Sequence, residues 1–115
     1  MIYHLTKIDR LYKARETGVY RSERFDRDGF IHCCEVHQLE LIANNHFGDE
    51  ELIAVLELNP VMLTAKTNYE HLDGGGEKYP HVYGEIPFKE ISRVVLVNSH
   101  KDGSYDGVFK DVDIR

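Results

Sequence analysis

The hydrophobic pattern of the chain changes period along its first half, and the changes predict the order of the elements. Residues 1–5 form an apolar run with β-branched and aromatic members, which predicts a strand. Thr6 is then placed to cap a helix over 7–16, where apolar residues recur every three or four positions. A second apolar run at 29–34 predicts a strand that leads directly into a helix over 35–44.

The second half of the chain has a pattern that favours strands. Residues 51–58 are apolar on both faces, as expected of a central strand. After an Asn-Pro turn, residues 61–66 are predicted to form a second strand that pairs with the first. Residues 91–97 predict another strand, and the imperfect alternation of residues 107–114 predicts an edge strand.

Two segments show no periodicity and are predicted to be loops. Residues 21–28 form a charged connection, and residues 67–78 form the longest loop. The longer loop contains three successive glycines, which are too flexible for the interior of an element. Because they lack the strand and helix that flank a phosphate-binding loop, we interpret these glycines as a hinge or lid.

Strands that are segregated from the helices predict an α+β fold. We expect a compact, curved or split sheet that is rich in antiparallel pairs and carries two N-terminal helices. The chain of 115 residues is long enough for one hydrophobic core and too short for two. We therefore expect a single domain over residues 1–115.

Charge and composition exclude several classes of function. The formal net charge of -6 argues against bulk nucleic-acid binding, which needs a basic surface. No secretory signal and no apolar run approaching about 18 residues occurs, so we expect no membrane span and a cytoplasmic location. Cys33 and Cys34 are adjacent and poorly placed for a relaxed disulfide, which predicts free thiols in a reducing compartment.

Three histidines in short aromatic or apolar contexts are candidate site residues. They are His4, His32 and His81. Because His32 alternates with Ile31 and Cys33, its side chain should face the opposite side of the sheet. Burying an imidazole without a partner costs free energy, so we hypothesise that the three rings share one polar cleft. The alternative, in which each ring is bonded to nearby backbone, stays open.

Two other chemistries are weighed against this hypothesis. A zinc-dependent enzyme is a distant third possibility, because no Cys-x-x-Cys, His-x-His or His-Glu-x-x-His spacing occurs, and we predict no metal site. A cysteine nucleophile would gain from the helix start that follows Cys34. Free cysteines are, however, more often small buried apolar residues, and we favour that interpretation here.

Four short motifs occur in an order that resembles the bacterial domain-of-unknown-function family 952. They are Ile2-Tyr3-His4, Gly18-Val19-Tyr20, Gly29-Phe30-Ile31-His32-Cys33-Cys34 and Tyr79-Pro80-His81-Val82-Tyr83-Gly84. The family usually has serine where this chain has Cys34, and commonly proline where it has Glu85. Its remote similarity to the ADP-ribosyltransferase superfamily implies an ADP-ribosyltransferase-like fold that binds NAD in a cleft between two small sheets.

The resemblance also implies roles for individual residues. A first-strand histidine, here His4, would hold the ribose next to nicotinamide, and His32 would lie near the nicotinamide ring. Glu85 is the candidate for the catalytic glutamate, with Glu57 and Glu70 as other possible acids. A carboxylate and hydrogen bonds to the ribose would stabilise the oxocarbenium character that builds up as an N-glycosidic bond breaks.

Two functions therefore stay open. The first is an ADP-ribosyltransferase-type enzyme that binds NAD or a related phosphoribosyl compound, and the second is a non-catalytic module that binds a nucleotide-like metabolite. The candidate catalytic residues are His4, His32, His81 and Glu85. The candidate ligand-binding residues are His4, Tyr20, His32 and Tyr83, where the tyrosines would stack on a flat ring.

Overall fold

The computed structural model describes residues 1–72, 75–110 and 112. In that part of the chain, eight strands and three α-helices alternate irregularly. The strands are β1 (Ile2–Lys7), β2 (Val19–Tyr20), β3 (Ile31–His32), β4 (Leu52–Leu58), β5 (Lys66–Leu72), β6 (Gly75–Tyr83), β7 (Ile86–Pro87) and β8 (Ile91–Asn98). The helices are α1 (Ile8–Thr17), α2 (Phe25–Asp28) and α3 (Leu39–His46). None of these described helices is long and apolar enough to span a bilayer.

The strands pair in antiparallel fashion throughout the described residues. One three-stranded sheet has the order β1-β4-β8, a second has the order β3-β6-β5, and β2 pairs with β7 alone. This arrangement confirms the predicted α+β class with antiparallel pairing.

Strand β4 separates two hydrophobic clusters because both of its faces are covered. Ala54 and Leu56 belong to the cluster that α1 packs against, whereas Ile53 and Val55 belong to the cluster that α3 packs against. All four side chains are fully buried, and each of the three larger ones, Ile53, Val55 and Leu56, contributes about 1.5–3 kcal/mol to folding. A strand that is buried on both faces has a continuous apolar sequence, which is why this one was predictable.

Helix α1 follows β1 directly, and glycine ends it. Gly18 has a φ of +84°, a left-handed conformation that favours glycine, and its N–H donates to the Ala14 carbonyl at 2.8 Å. The N-cap is Lys7 without a side-chain cap, so the predicted capping by Thr6 is wrong. The Thr6 hydroxyl lies instead 2.9 Å from the Tyr20 hydroxyl, on the inner side of the strand.

Backbone hydrogen bonds join the two three-stranded sheets next to β3. Tyr3 and Cys34 exchange N–H···O bonds of 2.8 and 2.7 Å as an isolated antiparallel bridge. The Cys33 N–H also donates to the Pro80 carbonyl at 3.0 Å. The strand predicted over 29–34 therefore pairs regularly only at β3, and its last residues connect the sheets.

The predictions for residues 61–66 and 67–78 are wrong. Residues Pro60–Met62 form a single 3₁₀ turn, and β5 begins only at Lys66 and pairs with β6 rather than with β4. The glycine-rich region belongs to this β5–β6 hairpin, apart from residues 73–74, which lie outside the described residues. Backbone ladder bonds hold the hairpin while most of its side chains are exposed, so no apolar alternation marks it.

Two further predictions need correction. The charged connection over 21–28 contains the four-residue helix α2. The predicted edge strand over 107–114 has turn conformation at residues 107–110 and 112, and its other residues lie outside the described part. Its alternation failed as a signal because Phe109 and Val112, three positions apart, both pack into the cluster of α3.

Candidate functional site

A cleft of about 390 Å³ opens along β1 where the two three-stranded sheets meet. This volume is in the range of small-molecule sites. Its lining residues come from β1, α1, α3 and the segments around β2, β3 and the β5–β6 hairpin: Tyr3, His4, Leu5, Thr6, Lys7, Arg10, Tyr20, Ser22, Glu23, Arg24, His32, Cys33, Cys34, Ile42, His46, Phe47, Leu72 and Tyr79.

His4 is buried in the cleft wall with both ring nitrogens engaged. Its Nδ1 lies 2.6 Å from the His32 carbonyl, and its Nε2 lies 2.6 Å from the Tyr20 hydroxyl. Because a carbonyl can only accept, Nδ1 carries the proton of the neutral ring and Nε2 accepts from the Tyr20 hydroxyl. Burial lowers the pKa of His4 to about 4, so the ring is neutral at pH 7.

Tyr20 completes a buried hydrogen-bonded chain between β1 and β2. Its side chain is 1% exposed, and its oxygen lies 2.9 Å from Thr6 Oγ1. Burial raises the pKa of Tyr20, which keeps the phenol protonated. The chain His4–Tyr20–Thr6 therefore offers neutral donors and acceptors in fixed positions.

Three cationic side chains line the same cleft: Lys7, Arg10 and Arg24. Two of them form ion pairs, and both are long: Lys7 lies 3.9 Å from Glu23, and Arg24 lies 3.5 Å from Asp28. Glu23 is the acidic lining residue among those that the structure describes. In a chain of net charge -6, this mouth is a locally positive surface.

Apolar and aromatic side chains form the opposite wall. Leu72 and Tyr79 come from the β5–β6 hairpin, and Ile42 and Phe47 come from α3 and its end. A flat ring can pack against this wall while a charged group faces the cations.

His32 lines the cleft from β3, next to His4. Its Nε2–H donates to Asp28 Oδ2 at 2.8 Å. The hydrogen bonds from Arg27 and from His32 lower the pKa of Asp28, so the carboxylate stays ionised. Ile31 is buried in the core while His32 is partly exposed, as expected of strand neighbours that face opposite sides, whereas Cys33 lines the same cleft as His32.

His81 lies directly across from His32 in the β3–β6 ladder, and it does not line the cleft. Its ring is 3% exposed because Phe30 stacks on it with ring centroids 4.1 Å apart. Its Nδ1–H donates to Glu70 Oε1 at 2.8 Å, and its buried Nε2 has no hydrogen-bond partner among the described residues. The structure therefore places His4 and His32 in the cleft and His81 against the far side of His32.

Two more predicted site residues, Glu85 and Tyr83, lie outside the cleft, as His81 does. Glu85 is half-exposed and forms an ion pair with Arg21 at 3.2 Å, and Tyr83 donates to Glu70 at 2.5 Å. The physical reason is strand geometry, since four extended residues span about 13 Å and separate Tyr83 from the cleft residue Tyr79.

The other candidate acids are engaged elsewhere. Glu57 is fully buried in β4 and pairs with Arg93 at 3.0 Å. Glu70 accepts hydrogen bonds from Tyr83 and His81, which lower its pKa. Neither carboxylate lines the cleft.

The two thiols line the cleft in protonated form. Burial raises the pKa of Cys34 to about 12 and that of Cys33 as well. Neither is a thiolate near neutral pH, so neither has the ionised sulfur that a nucleophile needs. The described residues contain no group of three or more His, Cys, Asp or Glu that could bind a metal ion.

Sequence reasoning missed the three cations of the cleft, Lys7, Arg10 and Arg24. It also missed Asp28, which contacts His32 and Arg24. A signal existed, because Arg24, Asp28 and His32 are spaced four residues apart. That spacing was hidden in a segment without apolar periodicity, which we interpreted as an exposed loop.

Solved structures show what the fold resembles. The crystal structure of protein CC0527 from Caulobacter crescentus matches with a TM-score of 0.75 and 24% sequence identity over 90% of each chain, and a double-mutant form gives the same values. The solution NMR structure of CC0527 matches with a TM-score of 0.72 and 24% identity, covering 90% of this chain and 89% of that one.

At this level of identity, the similarity to CC0527 establishes the fold alone. No curated protein matches the chain. A family model, described as a protein of unknown function (DUF952), matches residues 5–94. The matched range begins directly after His4 and includes all of α1, β3, β5 and β6. The chain therefore belongs to the DUF952 family.

Proposed function

We propose that the cleft binds a nucleotide-like small molecule of the NAD class. The observation that carries this proposal is the combination, in one cavity of about 390 Å³, of a cationic mouth, an aromatic wall and a buried neutral imidazole–phenol pair. Each part matches a different part of such a ligand. The ADP-ribosyltransferase-like fold that the resemblance of the sequence motifs implies favours the same ligand class.

The cationic mouth suits a phosphate or diphosphate group. Arg10 and Arg24 can each present a planar fork of donors to phosphate oxygens, and Lys7 adds a compact charge. The long contacts that these side chains make in the structure cost little to exchange for a ligand anion.

The buried pair suits a ribose. His4 Nε2 accepts from Tyr20, and a ribose hydroxyl can replace the tyrosine as that donor. Tyr20 would then keep its contact with Thr6, so no buried polar atom would lose its partner. A base or nicotinamide ring would pack against Tyr79 and Phe47.

Binding is better supported than glycosidic cleavage. Glu85, the candidate acid by analogy, lies outside the cleft, and the acidic lining residue among the described ones is the exposed Glu23. We therefore propose the binding function first, and keep an ADP-ribosyltransferase-type reaction as the second candidate, favoured by the position of His4 on the first strand.

Calorimetric titration with NAD, ADP-ribose and nicotinamide tests the proposal. We expect NAD and ADP-ribose to bind, and Arg24→Ala to weaken both by about 10-fold or more, because a charge-assisted contact to phosphate is lost. Arg15→Ala is the matched control, since Arg15 is an exposed arginine of α1 that does not line the cleft. Its affinities should equal those of the wild type.

Two results would overturn the proposal. The first is no binding of any adenine or nicotinamide nucleotide at millimolar concentration, and the second is equal weakening by Arg24→Ala and Arg15→Ala. A parallel assay of nicotinamide release with candidate acceptors separates the two candidate functions. Release would favour the enzyme, and binding without release would favour the module.

A further inference from the structure

His32, which lines the cleft, forms a carboxylate–imidazole pair with Asp28 behind it, and this pair has no role in the binding proposed above. His32 donates from Nε2 to Asp28 Oδ2 at 2.8 Å, and Arg24 Nε lies 3.5 Å from the same oxygen. Both His32 and Arg24 line the cleft. The cation that would contact a ligand phosphate is thus linked, through one carboxylate oxygen, to the imidazole beside it.

The hydrogen bond to Asp28 fixes the proton arrangement of His32. An ionised carboxylate can only accept, so Nε2 carries the hydrogen and Nδ1 keeps its lone pair in the neutral ring. The low pKa of Asp28, which results from its contacts with Arg27 and His32, preserves this arrangement. An imidazole that a carboxylate orients in this way is a general base with a defined basic nitrogen.

A second carboxylate–imidazole pair supports the first from behind. His81 donates to Glu70, and its ring meets the His32 ring edge-on with centroids 5.2 Å apart. Phe30 packs against both rings, at 4.6 Å from His32 and 4.1 Å from His81. The buried Nε2 of His81 has no hydrogen-bond partner among the described residues.

We propose that His32 is the general acid–base residue for hydrolysis of a phosphoester bond in the ligand that the cleft binds. Asp28 and His81 are its positioning residues. This inference rests on the proposed nucleotide binding and deepens it. The substrate class is a nucleoside phosphodiester, of which a cyclic phosphate is the smallest example.

The reaction needs water and no other co-reactant. The water oxygen forms a bond to phosphorus while His32 Nδ1 takes up one of its protons. The phosphorus–oxygen bond to the leaving ribose oxygen then breaks, and the imidazolium returns the proton to that oxygen. Arg24 would stabilise the charge on the phosphoryl oxygens in the transition state.

Hydrolysis of 2′,3′-cyclic AMP, followed by chromatography in the presence of EDTA, tests the inference. We expect turnover by the wild type and a loss of about 100-fold or more in kcat for His32→Asn. His71→Asn is the matched control, because His71 is an exposed histidine of β5 that does not line the cleft. The control should turn over like the wild type.

The separation of kcat from KM gives a readout that a purely structural role of Asp28 would not produce. Asp28→Ala should lower kcat by about 10- to 100-fold while KM stays within about 3-fold of the wild type, because the carboxylate orients the imidazole and does not itself line the cleft.

Calorimetry with AMP distinguishes the failure of this inference from the failure of the proposed function. Binding of AMP without turnover of the cyclic nucleotide would overturn the inference and leave the binding function standing. Neither binding nor turnover would overturn both. Undiminished turnover in His32→Asn would also overturn the inference, and if that variant did not fold, an undiminished kcat in folded Asp28→Ala would do the same.

Discussion

His4 Nε2 lies 2.6 Å from the hydroxyl oxygen of Tyr20, and both side chains are buried. The two residues belong to different elements, β1 and β2, that do not pair with each other in the sheets. Together with the contact between Tyr20 and Thr6, this hydrogen bond connects the end strand of one sheet to the β2–β7 pair, and it does so in the wall of the cleft.

Removing the Tyr20 hydroxyl should destabilise the fold. Tyr20→Phe leaves His4 Nε2 buried without its donor, which we expect to cost about 1–3 kcal/mol in the free energy of unfolding. Urea denaturation measures the difference. Tyr12→Phe is the control, because Tyr12 is 56% exposed on α1 and its change should stay within about 0.5 kcal/mol. Equal effects of the two substitutions would contradict the prediction.

The burial of His4 also predicts how stability depends on pH. Its pKa is lowered from 6.5 to about 4 in the folded state, so the unfolded chain binds more protons between these values. The contribution of the neutral His4 ring to the free energy of unfolding is fully present above about pH 6.5, and it is lost as the pH falls towards 4. The expected loss is about 3 kcal/mol.

A comparison of wild type with His4→Gln isolates this contribution. The difference in unfolding free energy between the two proteins should shrink by the expected amount as the pH falls from 7 to 4. An NMR titration of the His4 ring supplies an independent check. A midpoint near the ordinary value of about 6.5 would show that burial does not govern this ring.

The sequence predicted the elements whose side chains are buried and failed where the backbone alone determines the structure. Residues of β4 and α1 are recognisable because burial imposes an apolar pattern on both. The β5–β6 hairpin has mostly exposed side chains, so its backbone hydrogen bonds are not accompanied by an apolar pattern in the sequence. Its glycines, which we interpreted as a hinge or lid, include Gly75 and Gly76, and these two begin β6 with φ of +86° and +85°.

The same distinction holds for the site. His4 and His32 were predictable as cleft residues because a polar ring in an apolar strand needs a reason to be there. Asp28 and Arg24 were not, since charged residues in a segment without periodicity are usually solvated. Only the four-residue helix α2, which ends in Gly29 at φ +80°, brings them next to His32.

The close approach of Gly84 to Ala65 predicts a compensating pair of substitutions. A Cβ on Gly84 would lie 2.9 Å from the Ala65 Cβ, which is too short for two methyl groups. Because Gly84 is not in the left-handed region, the cost of Gly84→Ala is this steric contact, about 1–3 kcal/mol. Gly48→Ala is the matched control, since its nearest neighbour lies at 3.9 Å.

A double-mutant cycle with Ala65→Gly checks the cause. The second substitution removes the methyl group that clashes, so the double variant should be more stable than the sum of the two single effects by about 1 kcal/mol or more. Urea denaturation of the four proteins gives this coupling. Simple additivity would show that the destabilisation arises elsewhere.

The ion pair between Glu57 and Arg93 predicts a large loss of stability when it is broken. The Glu57 carboxylate is fully buried on β4, and Arg93 Nη2 donates to it at 3.0 Å from the facing position of β8. Arg93→Met would leave this carboxylate without its guanidinium. We expect a loss of about 3 kcal/mol, at the lower end for a broken buried pair, because the Arg93 side chain is one-third exposed.

Arg93 also donates to the Val112 carbonyl, so the same substitution should loosen the segment that packs against β8. Hydrogen exchange at the Val112 amide, which is bonded to the Phe109 carbonyl at 3.0 Å, should accelerate in Arg93→Met and stay unchanged in Lys13→Met, an exposed position of α1. If the buried charge dominates the loss, combining Glu57→Gln with Arg93→Met will regain part of the unfolding free energy. The Val112 amide of this double variant will still exchange fast, because the contact between Arg93 and the Val112 carbonyl is absent.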